Sequence, residues 1–374
     1  MKRFFAFLLV GLLTVLLVMP AAAQDATAEA TPEAVKYDPA ACFVAAKTND
    51  KMVKLEAKTG PFTIGISNSY IGNAWRTQML QMAQAFAQTD AVKPLIKDLV
   101  VVSTGDDVEA QIAAVDNMIS LPVDAIVINA INPTSFDAVV KRATDAGIPV
   151  ISFDGVVNAP DALIVNEDQV EFGAVMAEDL VKRMGQKGNV IMVNGVPGTS
   201  VDSDRIAGAK AVFEKYPDIK ITAELEGRWD SGTAQTVVSD FLATQAQVDG
   251  VFVQGGGPGV IQAFKDAKIT KLPPMAGEAE NGFRMALGNK EFEGISVGQT
   301  PGMVAVSMQA ALELLQGREL PRVISMPLPM VTSDEIKEGV DYFPNLPADF
   351  FTPIKIPVCG VDLDPDAIMA VKVS

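Results

Sequence analysis

The chain has only two tryptophans, and each sits beside an arginine, in Trp75-Arg76 and Arg228-Trp229-Asp230. An indole offers a flat apolar face with an N–H at its edge. A guanidinium offers paired donors in a fixed fork, and a carboxylate offers paired acceptors. Asp154, Asp230 and Glu278 end predicted strands, where carboxylates meet a ligand mouth. Two of them would suffice for acid/base cleavage of a glycosidic bond. Nothing in the sequence sets their separation, and gripping adjacent hydroxyls asks for the same residues. Binding is therefore preferred to catalysis.

Other chemistries lack their parts. The 374 residues include no histidine and two cysteines. That removes histidine-based nucleophile triads, His-containing zinc sites and thiolate clusters, so no metal site is expected. Gly255-Gly256-Gly257-Pro258-Gly259 follows a predicted strand, but it matches neither a dinucleotide fingerprint nor a Walker loop. It is read as a tight loop lining a cleft with its backbone close to a ligand, and no cofactor is expected. The formal net charge of −16 argues against nucleic acid as a partner.

The elements that must position these residues follow an alternating order. An apolar run at 62–66 reads as a buried strand and stops at a polar loop, 67–73. A helix then opens with Trp75, Met79, Met82 and Phe86 on one face. Ligands of parallel α/β sheets sit beyond the carboxyl ends of the strands, which puts Ser67, Asn68, Asn73, Trp75 and Arg76 at a mouth. Further strands are predicted at 99–103, 125–129, 150–153 and 163–165, with helices at 74–88, 108–119 and 134–146 between them. A second series runs from a helix at 172–184 to a strand at 294–297, and an amphipathic helix is predicted at 303–315. Beyond 321 the chain is proline-rich, with one helical turn expected around 333–338. The Val/Ile-rich, non-alternating strands are those of a parallel sheet covered on both faces.

Residues 1–23 have the form of a secretory signal peptide: Lys2-Arg3, an apolar run, then Ala21-Ala22-Ala23. No cysteine stands at the cleavage point. Cleavage removes two positive charges and takes the net charge from −16 to −18. Residues 24–41 read as a disordered spacer. In an oxidising compartment one bridge is preferred to two free thiols, so a Cys42–Cys359 disulfide is expected.

Five segments carry a resemblance: Ile64-Gly-Ile-Ser-Asn with Trp75-Arg76; Val123-Asp-Ala-Ile-Val-Ile-Asn with Asn132-Pro133; Gly147-Ile-Pro-Val-Ile-Ser-Phe-Asp154; Gly198-Thr-Ser with Arg205-Ile-Ala-Gly208; and Gly298-Gln-Thr-Pro. In their order and spacing the chain resembles the type I periplasmic sugar-binding proteins of ABC importers, of ribose and galactofuranose type, over roughly residues 61–324. The resemblance implies two doubly wound parallel-sheet α/β domains joined by a three-segment hinge, with no enzymatic activity. The domains would be 42–166 plus 301–327, and 167–300, with 328–374 a crossing segment and extension. Trp75 and Trp229 would stack on a sugar, while Arg76, Asp154, Arg205 and Gln299 would pair with its hydroxyls and Ser67 would end the first strand. Three departures stand out: Asp154-Gly155 in place of Asp-Arg, Gly255-Gly256 in place of Asn-Asp, and Gly277-Glu278 in place of Gly-x-Asp. The implied role is that of an exported monomer, periplasmic or extracellular, which hands a monosaccharide or polyol to ABC permease subunits. The alternatives are a receptor presenting a sugar or autoinducer to a membrane sensor, and a secreted glycosidase.

Overall fold

The first sheet is built from strands rich in buried apolar residues. In β1 (Phe62–Asn68) every residue is buried, as a central parallel strand requires. Around it lie β2 (Ile96–Ser103), β3 (Ala125–Asn129), β4 (Val150–Phe153) and β5 (Leu163–Asn166). The second lobe repeats the plan with β6 (Gly188–Asn194), β7 (Ile219–Glu226), β8 (Gly250–Val253), β9 (Met275–Glu278) and β10 (Gly294–Val297). Late in the chain, β11 (Val323–Ser325) joins the first sheet in parallel and β12 (Met330–Thr332) joins the second antiparallel. The strand orders are β11-β5-β4-β3-β1-β2 and β12-β10-β9-β8-β6-β7. Both place a switch point beside the first strand of the lobe, between β1 and β3 and between β6 and β8. The expected two-domain α/β architecture is thus present, with one antiparallel edge strand.

The computed structural model describes Met1 and residues 36–47 and 49–373. The signal peptide expected over 1–23 and most of the spacer over 24–41 lie outside the described residues. The end of that spacer is ordered. Pro39–Cys42 form one helical turn capped by Asp38, and the Asp38 N–H donates to the Val358 carbonyl at 2.8 Å. Cys42 and Cys359 are joined in a disulfide, so the turn is held by its own last residue.

The helices that bear on the site are α1 (Ala74–Ala87), α2 (Val108–Ser120), α3 (Asp137–Asp145), α4 (Gln169–Arg183), α5 (Ser200–Phe213), α6 (Ser231–Ala243), α7 (Gly257–Asp266), α8 (Asn281–Gly288), α9 (Met303–Leu315) and α10 (Pro365–Met369). Helices α4 and α5 pack closely because a Cβ on Gly173 would overlap the Arg205 carbonyl, and one on Gly208 the Val170 carbonyl. Gly208 of the Arg205-x-x-Gly208 motif therefore sets the depth at which Arg205 sits.

Two expectations need correction. Helix α9 is buried at every position rather than amphipathic. Its outer face is covered by the N-terminal arm, where the Tyr37 hydroxyl donates to Glu313 at 2.6 Å and the Lys58 N–H donates to the Leu315 carbonyl at 2.7 Å. The helical turn expected around 333–338 is a non-helical turn, while α10 forms further on, capped by Asp364 and packed on α1.

Candidate ligand-binding site

The carboxyl ends of both sheets converge on one cavity lined by Asn73, Trp75, Arg76 and Asp154 from the first lobe and Val201, Arg205, Trp229 and Glu278 from the second. Gln299 and Phe351 complete it. Ser67, Asn68 and Asp230, expected at the ligand mouth, do not line it. Ser67 is fully buried and its hydroxyl accepts from the Gln111 amide at 3.3 Å. Asn68 stands behind Arg76 and accepts from its guanidinium at 2.7 Å. Asp230 caps α6, accepting from the Thr233 N–H at 2.7 Å. Asn73 combines both uses, capping α1 through the Arg76 N–H at 2.9 Å while lining the cavity. A polar residue between strand and helix serves equally as ligand contact or N-cap, which is why the sequence could not separate them.

Asp154 ends β4 with φ 54°, a left-handed conformation that turns its carboxylate into the cleft. It accepts from Asn129 at 2.8 Å, faces Arg76 in an ion pair at 3.5 Å, and accepts a bond from the Gln299 amide. Gln299 in turn accepts from Arg205, which is ion-paired with Glu278. Acceptors and donors thus alternate from one lobe to the other as Asp154, Gln299, Arg205, Glu278. Arg205 is fully buried, stacks 3.8 Å above the Phe172 ring and donates to Gln169 at 2.8 Å and the Gln254 carbonyl at 3.2 Å.

Trp75 heads the core face of α1 and also lines the cavity. Its indole N–H donates to the Gln299 carbonyl at 3.1 Å. Trp229 follows Arg228 in a loop where both residues have φ 55°, a conformation that costs of order 1–3 kcal/mol each away from glycine. The bend is held by the Gly227 and Arg228 N–H groups, which share the Asn194 carbonyl at 3.0 and 3.1 Å. The Trp229 ring lies against Gly195 and Gly255, where a Cβ would collide with it or crowd it. That accounts for glycine at 255. Arg228 itself reaches across the mouth to Asp106 at 3.6 Å, a half-exposed pair between the lobes.

The glycine loop does not line the cleft as expected. The Gly256 and Gly257 N–H groups each donate to the Glu280 carboxylate at 2.8 Å, so the loop's donors are already taken by the protein's own anion. Glu278 rather than Glu280 faces the cavity. Burial, reinforced by the Glu278 charge, pushes the Glu280 carboxyl up to about 8 despite those two bonds. Glu167, in the crossing between β5 and α4, has both carboxylate oxygens buried, with the Thr300 backbone N–H as the polar group that approaches them. Burial raises it well above the usual carboxylate range, with Arg205 pulling the other way. Sequence reasoning missed it, since a lone glutamate in a loop carries no signal.

These shifts have a sign. An acid whose pKa is higher folded than unfolded makes the native state hold more protons, so its stabilising contribution is complete below the unfolded value near 4.5 and is lost as pH rises through the folded value near 8. The melting temperature should therefore fall from pH 5 to pH 8, and Glu280→Gln should flatten the slope. A wild-type melting temperature that rises over this interval contradicts the assignment.

Among the described residues no group of three or more His, Cys, Asp or Glu is placed to hold a metal ion, and no helix is long and apolar enough to cross a membrane. The periplasmic binding protein domain family matches residues 64–319. A xylitol-binding protein of Mycolicibacterium smegmatis is 28% identical, covering 66% of this chain and 71% of its own. The crystal structure of an ABC transporter solute binding protein from Thermobispora bispora superposes with a TM-score of 0.68 at 30% identity, covering 72% of this chain and 84% of the other. A periplasmic solute binding protein of an ABC transporter from Actinobacillus succinogenes, solved with bound D-allose, gives 0.64 at 26% identity over 73% and 98%. The chain belongs to the periplasmic binding protein family, exported proteins that bind substrates for ABC transporters and are not enzymes.

Proposed function

We propose that the protein closes on a single monosaccharide or a linear polyol and delivers it, as a monomer, to the membrane subunits of an ABC importer. One observation carries the reading: aromatic and planar polar groups from both lobes face a single cavity, with Trp75, Arg76 and Asp154 opposite Trp229, Arg205 and Glu278. Alternating carboxylate, amide and guanidinium groups suit vicinal hydroxyls, each of which donates and accepts. The two indoles suit the C–H faces of the same ligand. The buried Trp229 indole N–H has no acceptor, and a ligand hydroxyl would supply one. Relatives that bind xylitol and D-allose support the ligand class. In this reading the chain is exported by the 1–23 segment and then cleaved.

The cavity is about 20 Å³, room for about one water molecule. A ligand therefore enters with the lobes parted, and its hydroxyls replace the bonds that Gln299 and Arg205 now make with Asp154 and Glu278. Closure follows only if the ligand binds the closed arrangement better than the open one. The lobes would rotate about the crossings after β5, β10 and β11.

A thermal-shift screen of pentoses, hexoses and sugar alcohols tests this directly. A true ligand at 100 times its Kd should add about 2.7 kcal/mol of stability. Because both tryptophans line the cavity, the same ligand should change the intrinsic fluorescence. No shift with any of these compounds overturns the proposal.

A further inference from the structure

The chain crosses between its lobes a fourth time. After β12 it packs on the second lobe, where the Asn281 side-chain amide donates to the carbonyls of Phe343, Leu346 and Pro347 at 2.8 to 3.2 Å, and the Asn281 N–H donates to the Phe350 carbonyl at 2.7 Å. Phe351 bridges to Glu280, and the Thr352 N–H donates to the Ala279 carbonyl at 3.1 Å. The same Phe351 peptide is gripped from the first lobe. The Gln78 amide of α1 donates to its carbonyl and accepts from its N–H, both at 2.8 Å. Farther on, the Cys359–Cys42 bridge and the packing of α10 on α1 fasten the segment to the first lobe. Phe351 is thus bonded to the first lobe while its neighbours Phe350 and Thr352 are bonded to the second, and it is 3% exposed and lines the cavity.

Resting on the sugar reading above, we propose that Phe351 is a specificity-determining residue: an apolar wall, held by this fourth crossing, that sets the size of the ligand at one edge. Its ring neither donates nor accepts through a polar atom. A ligand hydroxyl pressed against it would lose its hydrogen bonds to water and gain none. The double grip of Gln78 and the Glu280 segment prevents the backbone from yielding. The wall therefore selects a ligand whose edge at this point is C–H, and rejects the homologue with one more hydroxymethyl group there. A site that discriminates by one such group achieves roughly 10- to 200-fold.

The test titrates wild type, Phe351→Ala and Phe351→Leu by tryptophan fluorescence against matched five- and six-carbon pairs: D-xylose and D-glucose, D-ribose and D-allose, xylitol and sorbitol. Thermal melts establish that each variant is folded, and Phe351→Leu serves if the alanine variant is not. The wild type should favour the five-carbon member of the pair it binds best by roughly tenfold or more. Either variant should move that ratio toward the six-carbon member by roughly tenfold, a change that a uniform loss of affinity would not produce. A ratio unchanged within about threefold in a folded variant overturns the role of Phe351 and leaves the sugar reading intact. A wild type that binds none of the six overturns this assignment, while the wider thermal-shift screen decides the sugar reading separately.

Discussion

Replacing Arg205 by alanine should abolish ligand binding and cost about 3–5 kcal/mol of stability, the usual result of leaving one partner of a buried ion pair behind. Arg205 has no exposed surface, and its guanidinium is the shared partner of Gln169, Glu278, Gln299 and the Gln254 carbonyl. Removing it strands the Glu278 carboxylate in a site that already disfavours its charge, and it bares the Phe172 ring. Lysine separates the two effects. Arg205→Lys keeps a positive charge near Glu278 but cannot reach Gln169, Gln299 and Glu278 together from one nitrogen. It should recover much of the stability while binding at least roughly 100-fold more weakly, since each charge-assisted bond is worth about 1.5–3 kcal/mol. Urea unfolding and calorimetric titration read the two quantities. An alanine variant that loses less than about 1 kcal/mol, or that binds within about threefold of wild type, would show that the ion pair is not the keystone described.

Gln169 and Gln299 lie at the ends of two different crossings between the lobes, so the residue that would hold the ligand also bonds to the hinge. Affinity and closure are then expected to change together at this position. At Trp229 they should separate, because its ring rests on Gly195 and Gly255 of its own lobe.

The legible part of the fold was the part governed by burial. Strands such as Ala125–Asn129 and Gly250–Val253 are buried at every position and apolar apart from the terminal Asn129, and both lie where the residue pattern puts them. What escaped depends on contacts far away in the chain. Helix α9 carries glutamate and glutamine, and the arm that packs over Glu313 helps make it a core helix. At the site, residue type pointed to the right neighbourhood but not to the layer. Asn68, Asn73 and Asp230 look alike in sequence. The structure makes one a brace for Arg76, one both cap and lining, and one a cap alone. Gly255 and Gly256 suggested a loop open to a ligand because the anion that satisfies the neighbouring N–H groups, Glu280, lies more than twenty residues on. Phe351 gave no signal at all. It sits in an aperiodic, proline-rich segment, and its importance comes from bonds to Gln78 and the Glu280 segment that no local pattern encodes.

The double replacement of Cys42 and Cys359 by serine should lower stability by about 2–5 kcal/mol. The bridge closes a loop with a sequence separation of 317. Loop-closure entropy for so long a loop sits at the upper end of what a disulfide contributes, and partial structure in the unfolded chain reduces it. The native state adds a local reason. Cys42 ends a single helical turn, and Cys359 follows the short strand Lys355–Ile356. Neither segment is long enough to hold itself in place, so without the bridge the arm and the extension depend on scattered hydrogen bonds, such as that from the Asp38 N–H to the Val358 carbonyl, and on side-chain packing. The Gln78 grip on Phe351 is unaffected by the change, so ligand affinity at 25 °C should stay within about threefold of wild type while the urea midpoint falls. A loss under about 1 kcal/mol would mean that packing of α10 on α1 already fixes the extension. A large loss of affinity would mean instead that the fourth crossing holds its place in the cleft only because its far end is covalently tied.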